Sequence, residues 1–303
     1  MIGSVERRTL AGDARVQAGC GGRGLFTGTE AVVTLRPGKN GILFVVGGER
    51  VPAHVDHLSG DTVVAAFAQL PARHTVLARD GSRVITTEHV LAALAGMGVT
   101  DAEIVVEGGA DVGWEIPIDD GSAAAFVRAI EAAGTEEIGE LEPLVIEKVV
   151  TAEDGRGGMI VAEPADTTAY SYLLDYAGSG AGSGAGGVPL EKQTAEWSGD
   201  AVEFAHAVAP ARTFSFAPEV EQMRALGLFA GFTPRDLLVL GEDGLPIENE
   251  LRFDDEPARH KLLDLIGDLA LVGRPIVGRV SAYRSGHALN HEMARRLAGQ
   301  HAG

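Results

Sequence analysis

The sequence predicts an α+β fold in which a sheet-and-helix unit occurs twice. Three observations point there. Short runs rich in β-branched and aromatic residues, bounded by Gly, Pro and Asn, alternate with Ala/Leu-rich helical stretches. The alternation starts again after an acidic, polar stretch at 135–143. The two parts also echo each other. His89 opens HVLAALAG and His260 opens HKLLDLIG; in each an apolar helix runs from the histidine to a glycine seven residues on, Gly96 or Gly267, and leads into an apolar strand.

Taken in order, strands are predicted at 31–37, 41–46 and 74–79. A helix over 85–99 takes Thr86 or Thr87 as N-cap and ends at Gly96 or Gly98. A strand at 101–108 precedes a helix over 121–134, capped by Ser122 and stopped by Gly134. The polar stretch that follows is taken as the boundary between an N-terminal α+β domain, 1–138, and a C-terminal one, 139–303. Strands are expected at 144–150, 159–164 and 168–176, then a low-complexity Gly/Ser/Ala loop at 177–189. Helices near 198–208 and 218–226 and a strand at 236–240 come next. The helix over 257–273 has Pro257 in its first turn and Gly273 after its last. A strand at 275–283 and a helix at 287–299 close the chain.

Composition narrows the function. At 303 residues, 45% of them apolar, the chain can bury a large core without cross-links, and Cys20 is its sole cysteine. The expectation is a reducing, cytoplasmic setting, with neither a signal peptide nor an apolar run of membrane-spanning length. The formal net charge is −18, with 21 arginines and only four lysines. Such a field repels nucleic acid and anionic membranes, so neither is an expected partner. It also repels a nucleotide-linked substrate, which would need a local basic pocket.

The chemistry-bearing residues fall into a few groups. His260, Asp264 and Asp268 recur at i, i+4, i+8 and so share one helical face, with Lys261 at its edge. Such a stripe is either a solvated polar face or a metal-binding one; facing a core without a metal it would be costly. His89, with Glu88 beside it, would complete three protein ligands with His260 and Asp264. A catalytic zinc site has that number and keeps a position for water. Glu88 could take the water's proton. His287, at a strand-to-helix junction in SGHALN, could be a proton donor charged and oriented by Asp268. The competing readings are ordinary helix-start polarity for Glu88–His89 and a capping or surface role for His287. His54 and His57 are read as structural, and His74, His206, His291 and His301 have no nameable partner. The sequence contains no Walker loop, Rossmann glycine fingerprint, serine nucleophile elbow or HExxH motif.

Together, RTLAG, GRGLFTG, TTEHVLAALAGMGV, EIPIDDGSAAAFV, ARTFSF, LRFDDEPARHKLLDLIGDL and SGHALN resemble UDP-3-O-acyl-N-acetylglucosamine deacetylases over nearly the whole chain. The resemblance implies two topologically similar β-sheet/helix sandwich domains with the metal site between them. It implies zinc, for which Fe2+ is a possible substitute, on His89, His260 and Asp264. It makes Glu88 the general base and His287 the proton donor, oriented by Asp268. It gives Thr213 the oxyanion and lines the substrate site with Lys261, Phe214, Arg284 and Ser285, the last two at the nucleotide. The implied reaction is hydrolysis of the N-acetyl group of UDP-3-O-(3-hydroxyacyl)-N-acetylglucosamine, the committed step of lipid A biosynthesis, by a monomer. The alternatives are a divergent paralogue acting on another nucleotide-linked or acylated amino sugar, and a metal-binding protein without catalysis.

Several positions depart from the family pattern. Phe26 stands where a histidine is usual, Asp119 where an apolar residue is usual, and LFAGFTPRD lacks the usual Gly-Gly-Ser. The tract 177–189 falls near the insertion that forms the acyl passage. The catalytic groups match more closely than the lipid-recognising parts.

Overall fold

The computed structural model describes residues 3–16, 22–60, 73–109, 112–176, 190–229 and 231–300. The expectations that fall on Cys20, the tract 177–189 and His301 lie outside the described residues.

Two five-stranded mixed sheets dominate the fold. In space the first runs Ala14–Arg15, Val32–Pro37, Ala102–Glu107, Ile42–Val46, Glu49–Pro52. The second runs Val150–Glu153, Met159–Glu163, Arg279–Tyr283, Ala169–Leu174, Gln193–Trp197. Their pairing is the same step for step. Each middle strand is antiparallel to the neighbour on one side and parallel to the neighbour on the other, and both outer pairs are antiparallel. The echo between the HVLAALAG and HKLLDLIG segments therefore has a topological basis: each of these helices precedes the middle strand of its own sheet.

Among the described residues, six α-helices accompany the sheets: α1 (Glu88–Gly96), α2 (Ala124–Ala133), α3 (Ala201–Glu203), α4 (Ala217–Ala225), α5 (Glu256–Leu269) and α6 (His287–Gly299). The short α3 continues as a π-helical turn over Phe204–Val208. Smaller sheets complete the fold. Phe214–Phe216 pairs in parallel with Leu238–Leu240 on either side of α4, and Val76–Arg79, Ser82–Ile85 and Trp114–Glu115 form a three-stranded sheet.

Helix ends follow local chemistry with some corrections. Gly134 (φ +69°) ends α2 and Gly273 (φ +78°) ends the 3-10 turn after α5, both in backbone conformations that side chains disfavour. The N-cap position of α2 is Ala123 rather than Ser122; the Ser122 hydroxyl donates to Asp120 and accepts from the Ala124 amide, capping from one residue earlier. Thr87 occupies the N-cap position of α1 without a side-chain cap bond, because its hydroxyl reaches back to the Thr75 carbonyl. The polar stretch after α2 is a strand, Thr135–Leu141, antiparallel to Val5–Leu10 with a bulge at Arg7/Arg8. Its carboxylates face solvent, which is why it lacks an apolar strand pattern.

The core joins both parts of the chain: Phe44, Leu91, Ile104 and Phe126 belong to the same buried cluster as Tyr172, Phe204, Leu265 and Met293. Glycines allow the closest approaches. A Cβ on Gly267 of α5 would collide with the carbonyl of Glu88 in α1, and one on Gly96 would overlap the Phe204 ring. Among the described residues, no helix is long and apolar enough to cross a membrane.

Candidate metal centre

The first turn of α1 is set by a buried carboxylate. Glu115 accepts the amides of Phe26 (2.9 Å) and Thr27 (2.7 Å) and the hydroxyl of Thr86 (3.3 Å). It thereby ties the GLFTG loop to the residue that turns the chain into the helix. Thr86 adopts φ +61°, unfavourable for a β-branched side chain, and is held there by this bond and by burial. Glu88 and His89 follow, facing α5.

The stripe on α5 turns inward. His260, Asp264 and Asp268 are all buried, as is His89; the solvated-face reading is excluded. The donor atoms of His89, His260 and Asp264 lie within 4.8 Å of one another. Both imidazole Nε2 atoms approach the same oxygen, Asp264 Oδ1, at 3.7 Å from His89 and 3.4 Å from His260. That oxygen has no hydrogen-bond donor among the described residues, whereas Asp264 Oδ2 accepts from Lys261 Nζ at 2.7 Å. His260 is oriented through Nδ1, 3.2 Å from the Ala211 carbonyl.

The electrostatics suit a cation. Burial, and then the neighbouring His260, push His89 down to about 3, and burial also lowers His260, so both imidazoles are neutral. Burial alone would raise Asp264, but the Lys261 ammonium beside it outweighs burial and holds the carboxylate ionised. Neutral imidazoles and an ionised carboxylate are the ligand forms of these side chains. A buried, undonated carboxylate oxygen between two neutral imidazoles is costly alone, and a divalent cation relieves it. The residues fit such an ion.

An acid–base pair adjoins this cluster. Glu88 is buried, with Oε2 accepting the Thr75 amide at 3.0 Å; burial pushes its carboxyl up to about 8, with His287 pulling the other way. His287 opens α6, and its Nδ1 is 2.8 Å from Asp268 Oδ2. Burial alone would lower His287, but Asp268 and then Asp264 lift it to about 9. Asp268 is itself held well below the usual carboxylate range: burial opposes this, but His287 and His291 prevail.

Cluster and pair open on a cavity of about 1290 Å³ whose wall includes Thr213, Phe214, Lys261, Arg284 and Ser285. Thr213 is fixed by its amide, which donates to the Gly121 carbonyl at 2.7 Å. Next to it, the Arg212 guanidinium clasps Glu256 at the start of α5. Ser285 Oγ is buried without a partner among the described residues. Phe26 packs against His74, ring centroids 4.3 Å apart, and forms an apolar wall with Met223, Leu228 and Phe229. His54 lies elsewhere, accepting the Asp56 amide at a 3-10 turn that also contains His57; His206 is exposed on the π-helical turn. Sequence reasoning missed Thr75, Glu115, Asn290 and His291. Glu115 had a signal, a carboxylate inside the otherwise apolar run WEIPI.

A duplicated α+β fold with a buried two-His, one-Asp cluster defines a protein with side chains that could hold a metal ion, beside a buried carboxyl and a buried imidazole. Residues 7–299 match the family model described as UDP-3-O-acyl N-acetylglycosamine deacetylase, and the chain belongs to that family. Among proteins named UDP-3-O-acyl-N-acetylglucosamine deacetylase, it is 36% identical to that of Myxococcus xanthus (strain DK1622), covering 97% of this chain and 87% of the relative. It is 37% identical to that of Anaeromyxobacter dehalogenans (strain 2CP-C), covering 98% and 88%. It is 35% identical to that of Synechocystis sp. (strain ATCC 27184 / PCC 6803 / Kazusa), covering 91% and 94%.

Proposed function

We propose that the protein hydrolyses the acetamide of UDP-3-O-(3-hydroxyacyl)-N-acetylglucosamine, releasing acetate in the committed step of lipid A synthesis. His89, His260 and Asp264 would hold a zinc ion, and Fe2+ suits the same donor set. The observation that carries this reading is the undonated Asp264 Oδ1 between two neutral imidazoles, with Glu88 and the His287–Asp268 pair beside it. When bound, the cation supplies Lewis acidity, polarising the acetyl carbonyl and acidifying a water molecule.

The chain's own groups do the remaining work. Glu88 takes a proton from the attacking water; a base whose pKa lies near the working pH exchanges protons efficiently. His287, protonated through Asp268, stabilises the developing oxyanion from Nε2 and passes its proton to the amine as the C–N bond breaks. The Thr213 hydroxyl is the second donor to the oxyanion. Phe214 packs against the sugar. Lys261, Arg284 and Ser285 supply the local polar surface that a nucleotide diphosphate needs in a chain of net charge −18.

Metal analysis of wild type beside His89→Ala and Asp264→Ala, paired with a deacetylase assay, tests the reading. Stoichiometric metal and turnover in wild type, both lost in the variants, are expected. Metal-free, fully active wild type overturns the metal assignment. Equal turnover on acylated and non-acylated UDP-N-acetylglucosamine overturns the lipid A assignment in favour of another amino-sugar substrate.

A further inference from the structure

Thr75, fully buried, bridges Glu88 and Asp268, the carboxylate that holds His287. Its amide donates to Glu88 Oε2 at 3.0 Å, and its hydroxyl donates to Asp268 Oδ1 at 2.5 Å. The same hydroxyl oxygen lies 2.8 Å from His291 Nε2. A hydroxyl has a single proton. With that proton directed at the ionised carboxylate, the oxygen is left to accept, so His291 carries a proton on Nε2. The Thr75 carbonyl accepts the Thr87 amide, which clamps this segment onto the first turn of α1.

Asp268 is saturated as a result. Oδ1 receives Thr75 and has His291 Nε2 at 3.4 Å, while Oδ2 receives His287 Nδ1 at 2.8 Å and Asn290 Nδ2 at 2.9 Å. Any rotation of the carboxylate that breaks one of these bonds breaks others, so its plane and the direction in which it aims His287 are set jointly. Asp268, His287 and His291 also have donor atoms close enough for a cation. The Thr75 hydroxyl and the Asn290 amide already occupy the Asp268 oxygens, however, so the arrangement favours a support over a second metal site.

We propose that Thr75, backed by His291, is a positioning residue for both members of the acid–base pair. Its hydroxyl sets the Asp268 carboxylate that aims His287, its amide sets Glu88, and the two groups keep their separation across the scissile bond. The kinetic consequence rests on the deacetylase reading; the structural consequence does not.

The test uses the full-length, metal-loaded protein. Thr75→Val keeps the shape and the amide and removes only the hydroxyl. Its kcat is expected to fall about tenfold with KM within about twofold, a fraction of the roughly 10²–10⁴-fold that acid–base help supplies. Metal content should be unchanged, and Thr75→Ser should recover most of the loss. In parallel, the downfield proton resonance of His287 Nδ1–H should shift or broaden in Thr75→Val and return in Thr75→Ser. Wild-type kcat together with an unchanged resonance in Thr75→Val overturns the proposal. Should that variant not fold, His291→Leu carries the same test at the other end of the hydroxyl, and both readouts unchanged there overturn it equally. Wild type that turns over no acetylated sugar, yet shows a His287 resonance sensitive to Thr75→Val, overturns the deacetylase reading and supports the positioning role.

Discussion

Gly267 in α5 lies against the carbonyl of Glu88 in α1, with no room for a Cβ between them. The metal cluster and the acid–base pair both straddle this seam. Gly267→Ala must therefore push the two helices apart, since the obstacle is backbone. Overpacking of this kind costs about 1–3 kcal/mol. The variant should unfold at lower urea and also bind metal more weakly, because His89 and Asp264 separate together. Chemical denaturation and a metal titration on the same sample check both.

Glu88→Gln keeps the size and the contact with the Thr75 amide but removes the proton acceptor. Metal content should match wild type while turnover falls by roughly 10²–10⁴-fold, the usual worth of a positioned base. Loss of metal in this variant would instead indicate that Glu88 is a ligand.

Glu256 is fully buried and accepts the amide, Nε and Nη2 of Arg212 and the amide of Arg252. Arg212→Met strips the charged donor and strands the carboxylate, which should cost about 3–5 kcal/mol. Adding Glu256→Gln should restore much of this, because a neutral amide is less costly to bury than an unpaired charge. Urea midpoints for the two variants decide it. Arg212 adjoins Thr213, so the single variant should also lose turnover.

Asp101 gives the fold a pH dependence away from the site. Burial would raise its pKa, but Arg7 (2.6 Å and 2.9 Å), the Gly41 amide and the Thr100 hydroxyl outweigh burial and hold it below its ordinary 3.8. A carboxyl depressed in the folded state contributes its full stability above the unfolded value. That contribution drains away as pH falls from about 4 through the folded value. Between about pH 5 and pH 3, wild type should therefore lose stability more steeply than Asp101→Asn, a comparison of urea midpoints at each pH.

Much of the site was legible because it is local. Spacing put His260, Asp264 and Asp268 on one face, and Pro257 and Gly273 marked the ends of that helical region. The repeated His-to-Gly segments foretold two equivalent helices, and the two sheets pair strand for strand in the same order. Less legible was everything decided by where the two parts of the chain meet. Thr75 touches Asp268 and His291 across separations of 193 and 216 residues, and no local pattern marks it. The strand Thr135–Leu141 was hidden for a different reason: its partner Val5–Leu10 also carries charges, so neither shows the alternation of a half-buried strand.

The matching strand order of the two sheets also bears on assembly. α1 and α5 occupy equivalent slots in two copies of one design, and each copy contributes ligands that the other lacks. On the proposed ligand set, a cation gripped by both would act as a rivet, with affinity for the docked pair and little for either copy alone. Mass action then adds about 4 kcal/mol to docking at a thousandfold excess over the dissociation constant. Because the two copies share one buried core, chelation should lower their common unfolding midpoint rather than release one copy alone.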